Sequence, residues 1–440
     1  MRTQDAGLST WALATTAGIL LVYAGLSHRL ERTWVSAPIF FLSAGLIVGS
    51  KGLGWVGLSS TSEQVRVLAE VTLTLVLFAD ASRINVPALR REYMVPARLL
   101  GIGLPLTILA GWGIGAVLFG SFSGVEVLIL AVILAPTDAA LGQAVVTDPS
   151  LPSRIRQGLN VESGLNDGIC VPLLLIALAV AEAEGGSETS HGALVLVVEG
   201  IGYGVLFGVI AGVVGGLVMR HAGRHSLRES GWRQILPVAT AALAYGLAAP
   251  LGGSGFIAAF VAGFAFGALH RDTEGETTYL LDELGGLTNS VTFLVFGAAI
   301  VGTVLADLTW RAVLYGILSL SVVRMLPVAV SLFGTHARLR TVAFVGWFGP
   351  RGLASIVFTV IALEHGTLEH ASAITVAVVF TIVLSVYAHG LSAKPLTNRY
   401  ARWYRAHTEE RLPRMESVHA PPQRWRRTQA VPVAPPDKGI

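Results

Sequence analysis

From residue 10 to residue 392 the chain alternates apolar runs with short polar breaks, and the runs have the length of about 17–25 residues that a helix needs to cross the hydrocarbon core of a bilayer. Thirteen such runs are read at 10–27, 35–50, 65–82, 97–120, 124–146, 156–180, 192–219, 234–250, 254–269, 287–305, 310–333, 341–363 and 371–392. A transmembrane barrel would show alternating segments of about ten residues instead. The first run follows only Arg2 and has no evident cleavage site, so it reads as a helix and not as a signal peptide. The pattern predicts an all-α polytopic membrane protein.

Two runs are interrupted near their centres. The fifth breaks at Ala135-Pro136-Thr137-Asp138 and the twelfth at Phe348-Gly349-Pro350-Arg351-Gly352. A proline inside a membrane helix frees a carbonyl that must find another partner. Interrupted hydrophobic segments at corresponding places in two halves of a chain point to inverted repeats with a binding site between them. One break holds an acid and the other a base.

Composition agrees with the pattern: 53% of the residues are hydrophobic and 13% charged, which excludes an ordinary soluble protein. The formal charge of +3 would suit a nucleic-acid partner only if the basic residues formed a patch. They instead fall on alternate connections, among them Arg29, Arg32, Arg90, Arg91, Arg154, Arg220 and Arg338, while the opposite connections carry Arg2, Lys51, Arg66 and Arg311. The positive-inside rule then puts the N-terminus outside and the C-terminus in the cytoplasm of a cell-membrane protein, and no nucleic-acid partner is expected. Residues 1–393 read as one membrane domain, and 394–440 as a basic, proline-rich, disordered cytoplasmic tail whose first part meets lipid headgroups. Cys170, the single cysteine, reads as a small packing residue.

Candidate chemistry lies in the membrane. Asp138, Glu162 and Asp167 sit inside apolar runs, where each ionised residue costs roughly 2.5–3.5 kcal/mol on an insertion scale, so they must meet partners, water or a cation. On a helix Glu162 and Asn166 share a face, as do Ser163 and Asp167, whereas Glu162 and Asp167 diverge. The basic residues at membrane depth are Arg324 and Arg351. Three acids against two bases leave one negative charge, and competition between a proton and a monovalent cation for that charge is the minimum for one-for-one exchange. Oxygens of Thr137, Ser163 and Asn166 suit a hard cation. Plainer roles compete: a fixed buried partner for Asp167, capping of the broken helix for Asp138, and for Glu162 an ion pair with an arginine against direct cation contact. Asp80 reads as interfacial, interfacial placement accounts for most of His28, His221, His225, His270 and His389, none of which is assigned to the site, and the glycines at 204–216, 263 and 267 read as helix-packing positions. No phosphate loop, zinc-spaced set or nucleophile elbow is present, which counts against an enzyme.

The motifs Ala-Pro-Thr-Asp (135–138), Glu-Ser-Gly-Leu-Asn-Asp (162–167) and Phe-Gly-Pro-Arg-Gly (348–352), in this order and separation, resemble those of the monovalent cation:proton antiporter-1 family, the NhaP-type sodium/proton exchangers. The resemblance covers nearly all of residues 10–392. It implies the sodium/proton antiporter fold, with inverted repeats and two crossing broken helices, in a homodimer whose helical bundle moves against a dimerisation domain. It further implies that Asp167 is the main ion- and proton-binding acid, that Asp138, Thr137, Glu162 and Ser163 complete the cation site, and that Asn166, Arg324 and Arg351 organise it. Members with Asn-Asp here are generally electroneutral. The expectation is exchange of cytoplasmic sodium, or lithium, for external protons without a cofactor; potassium/proton exchange is the alternative, with a channel or a membrane-embedded enzyme further behind.

Overall fold

The computed structural model describes residues 10–30, 33–57, 62–84, 92–138, 140–184, 190–224, 232–270, 277–364, 368–406 and 414–417. The proline-rich part of the tail and residues 185–189 lie outside them. Within them the chain is helical: α1 (Thr10–Leu30), α2 (Ala37–Val48), α3 (Glu63–Ser82), α4 (Met94–Leu118), α5 (Gly124–Ile133), α6 (Gln143–Val146), α7 (Ser153–Glu184), α8 (Ser190–Arg224), α9 (Trp232–Ala248), α10 (Gly255–Leu269), α11 (Tyr279–Asp307), α12 (Trp310–Ser331), α13 (Leu339–Trp347), α14 (Leu353–Glu364), α15 (Ala371–Arg405) and α16 (Arg414–Ser417). An isolated bridge between Gly49 and Val56 is the extent of β pairing among the described residues. Among the described residues eight helices are long and apolar enough to cross a membrane, and α2, α5, α10 and α14 are shorter apolar helices beside them. Of the thirteen expected runs, the five not among the eight have three different outcomes: the second and ninth form the shorter helices α2 and α10, the third forms α3, which carries Arg66, Glu70 and Asp80, and the fifth and twelfth are each split into two half-helices.

The split follows from local chemistry. Ser123 and Glu126 form a reciprocal capping box that starts α5, with Glu126 N donating to Ser123 Oγ at 3.1 Å and Ser123 N to Glu126 Oε2 at 3.0 Å. The helix ends at Ile133, just ahead of Pro136, which has no N–H to continue the ladder. The chain then has no regular secondary structure through Pro136–Asp138. In the same way α13 stops at Trp347, ahead of Pro350, and α14 starts at Leu353. Both breaks lie in the protein interior, where irregular backbone at membrane depth is tolerated.

Around them, α7 packs against α3, α5 and α14, and α12 packs against α15. A seam of small residues joins α8 to α10. Gly204, Gly208 and Gly212 recur at one-turn intervals and face the backbone at Ser254, Ala258 and Ala262, so a side chain on them would meet main chain. A Cβ on Gly208 would lie 2.6 Å from Ala258 O and 3.0 Å from its Cα. Gly208→Val is therefore expected to lower stability by roughly 1–3 kcal/mol, the usual cost of overpacking, read as an earlier loss of the monodisperse peak when detergent-solubilised protein is heated. An unchanged profile would mean that the seam opens freely.

Helix α15 runs past residue 393 to Arg405, carrying Tyr400, Trp403 and Tyr404 with it. Beyond it α16 docks back, with Glu416 buried and its Oε1 accepting from Arg338 N at 3.0 Å and from Thr341 Oγ1 at 2.5 Å.

Candidate ion-binding site

The two breaks meet each other. Asp138 N donates to Pro350 O at 2.8 Å, and Ser355 Oγ of α14 reaches Ile133 O at the end of α5, at 2.7 Å. Each break also supplies the charge that the other lacks. The first amides of α14 carry the positive end of a half-helix dipole, and Asp138 Oδ2 accepts from Leu353 N at 2.9 Å while its Oδ1 accepts from Ala140 N at 2.7 Å. Just beyond the negative end of α5, Arg351 Nη1 donates to Ala135 O at 2.7 Å and to Pro136 O at 3.0 Å, two carbonyls of the break itself. Arg351 is completely buried, and Ser385 Oγ accepts from its main-chain N–H at 2.7 Å.

Contacts this close require glycine at two positions. A Cβ on Gly352 would run into the Asp138 carboxylate, and one on Gly349 into the Arg324 guanidinium. Arg324 lies just beyond a kink at Ser321 in α12, and it pairs with Glu162 of α7 through two parallel bonds, Nη1 to Oε1 at 2.5 Å and Nη2 to Oε2 at 2.9 Å. Both partners are buried.

One turn along α7 the remaining motif residues face the first break. Asn166 Nδ2 donates to Thr137 Oγ1 at 2.7 Å, and Ser163 Oγ donates to the Thr137 carbonyl. Asp167 is buried next to them, and its Oδ1 has no hydrogen-bond partner; the same holds for Asn166 Oδ1. Thus Asp138, Thr137, Ser163, Asn166, Glu162, Arg324 and Arg351 form one connected region at the crossing of the breaks. Asp138, Glu162 and Asp167 do not converge on a point, since Glu162 is turned to Arg324. Among the described residues no three His, Cys, Asp or Glu side chains gather as they would around a metal ion. A cavity of about 10 Å³, hardly enough for one water, lies beside the break and is lined by Thr137, Asp138, Ser163, Phe348 and Pro350 among others.

Two titratable residues that the sequence left outside the site lie close to it. His389 is buried beneath the second break, where Trp347 O lies 2.9 Å from its Nε2 and the Trp347 ring stacks on it at 5.0 Å. Asp80 backs onto Gly164 of α7, one turn from Asp167, and pairs with Arg83 at 3.2 Å; Arg83 also pairs with Asp282 of α11. The Asp80–Arg83 spacing of three residues on α3 was the available signal for that pair.

Crossed half-helices with an acid at one break, a base at the other and a buried carboxylate between them define a membrane protein built around an intramembrane charge site, the architecture of cation:proton antiporters. The profile of the transmembrane sodium/hydrogen exchanger family matches residues 16–399, and the chain belongs to that family. It is 27% identical over 378 residues to the K(+)/H(+) antiporter NhaP of Alkalimonas amylolytica, covering 84% of this chain and 63% of the relative. It is 25% identical over 315 residues to the Na(+)/H(+) antiporter of Schizosaccharomyces pombe, covering 64% and 67%. The chain spans less than two thirds of the length of the NhaP relative. Its fold matches the sodium proton antiporter MjNhaP1 of Methanocaldococcus jannaschii with a TM-score of 0.73 at 20% identity, over 89% of this chain and 99% of that one.

Proposed function

We propose that this protein exchanges a cytoplasmic monovalent cation for an external proton, one for one, across the cytoplasmic membrane. The observation that carries the reading is Asp167. Glu162 is held by Arg324 and both Asp138 oxygens by backbone N–H groups, whereas Asp167 is buried with an unbonded oxygen. A carboxylate in that position takes a proton or a cation, and one carboxylate takes one of either.

Deprotonated Asp167 receives the cation from the cytoplasm, with oxygens of Thr137, Ser163 and Asn166 within the same region. Rearrangement of the crossed helices exposes the site outward, and protonation displaces the ion. Arg351 and Asp138 face the two half-helix ends and offset their partial charges. The membrane domain is assigned to residues 1–393, with the N-terminus outside and the tail cytoplasmic, and the protein works as a homodimer in lipid.

Sodium, with lithium beside it, is the first reading, supported by the family's description as a sodium/hydrogen exchanger; potassium is the second, supported by the NhaP relative whose name specifies K(+)/H(+) exchange. Proteoliposomes with a preset pH gradient and clamped membrane potential decide between them. The expected result is dissipation on adding sodium or lithium, at a rate independent of the clamped voltage. A larger potassium response reverses the selectivity, and stepwise currents in a planar bilayer would replace exchange by a channel.

A further inference from the structure

A second cavity, about 260 Å³, opens away from the ion site, between α13 and the end of α15. Its walls are two helix faces at regular spacing: Arg340, Phe344 and Trp347 on one side, Arg399, Tyr400 and Trp403 on the other. The walls are fixed. Phe344 stacks on Tyr400 at 4.4 Å between ring centroids, Tyr400 OH lies 2.8 Å from Thr341 Oγ1, and Trp347 Nε1 donates to Ser392 Oγ at 2.9 Å. At the mouth, exposed Arg340 lies over the Trp403 ring at 5.8 Å, and Arg399 is exposed opposite. Inside, the lining is almost wholly apolar and contains no acid. Phe348 closes the inner end and is shared with the small cavity beside Asp138.

We propose that this groove binds one anionic phospholipid, with the phosphate between Arg340 and Arg399 and an acyl chain along Phe344 and Trp347 towards Phe348. Charge decides the occupant. A zwitterionic lipid gains little from two arginines, whereas basic pockets between membrane helices select anionic headgroups. The chain's own C-terminal segment, with Arg424, Arg426, Arg427 and Lys438 against Asp437, would bring like charge to a basic mouth, as would a second copy docking through the same face. Exposed Leu339 and Phe333 next to Arg338 place this end of the molecule where apolar surface meets headgroups.

Native mass spectrometry of the full-length protein, delipidated and titrated with phosphatidylglycerol or phosphatidylcholine, tests it without any transport assay. The expected result is one phosphatidylglycerol retained per chain in preference to phosphatidylcholine. Arg340→Ala with Arg399→Ala should weaken retention roughly 25-fold, about fivefold for each guanidinium. Ala343→Trp, which fills the groove from an exposed position and leaves both charges, should also abolish it. Three outcomes overturn the proposal: equal retention of both lipids, retention unchanged in the variants, or retention gained only after residues 418–440 are deleted, which would give the groove to the tail. A shift in the monomer–dimer ratio without a change in lipid count would give it to a second copy.

Discussion

Asp167→Asn is expected to reduce cation-induced dissipation of a pH gradient to the level of protein-free liposomes, for sodium, lithium and potassium alike. Asparagine keeps the shape of the side chain and removes the group that titrates. It should therefore leave the fold intact, and a second readout makes that testable. A buried ionised carboxylate with an unbonded oxygen opposes folding, because its desolvation is not fully repaid. Removing the charge should leave the thermal unfolding midpoint at or above that of the native protein, while activity disappears. A variant that loses both would assign Asp167 a structural role. One that keeps a sodium response would move the exchanging proton to another group.

The same comparison separates Asp167 from Asp138. Asp138 accepts two backbone hydrogen bonds, one of them at the start of α14. Its carboxylate thus serves the junction of the breaks, and any contact with the cation comes on top of that. Loss of Asp138 is a change in architecture first, whereas loss of Asp167 touches no hydrogen bond of its Oδ1.

Much of this region was legible in the sequence because charge and proline are rare at membrane depth. Each exception had to mean something, so Asp138, Glu162, Asp167, Arg324, Arg351 and both breaks stood out in order. What could not be read was the pairing. Three acids against two bases suggest that each arginine answers an acid, yet Arg351 donates to the carbonyls of Ala135 and Pro136. The partial negative charge at the end of α5 belongs to the backbone and has no letter in the sequence. His389 was left out of the region for a related reason. It stands near the end of the last apolar run, but α15 continues to Arg405, so the position that looked terminal lies well inside the helix. Asp80 looked interfacial because it is close to the end of α3, and only the packing of α3 on α7 brings it against Gly164.

The Glu162–Arg324 pair yields the second large effect. Arg324→Leu leaves Glu162 buried without its counter-charge, and breaking a buried pair from one side costs about 3–5 kcal/mol. The detergent-solubilised variant should unfold well below the native protein, and Glu162→Leu should do the same from the other side. Combining the two removes both buried charges, and much of the loss should return, since an apolar pair of similar volume is often as stable as the ion pair it replaces. Recovery will be incomplete, because the Arg324 guanidinium also packs on Gly349 and a leucine leaves that space unfilled. Transport in the double variant then settles what Glu162 does. If exchange returns with stability, the pair is a strut between α7 and α12. If stability returns and exchange does not, Glu162 also touches the cation, and the Arg324 bond must loosen during each cycle for that to happen.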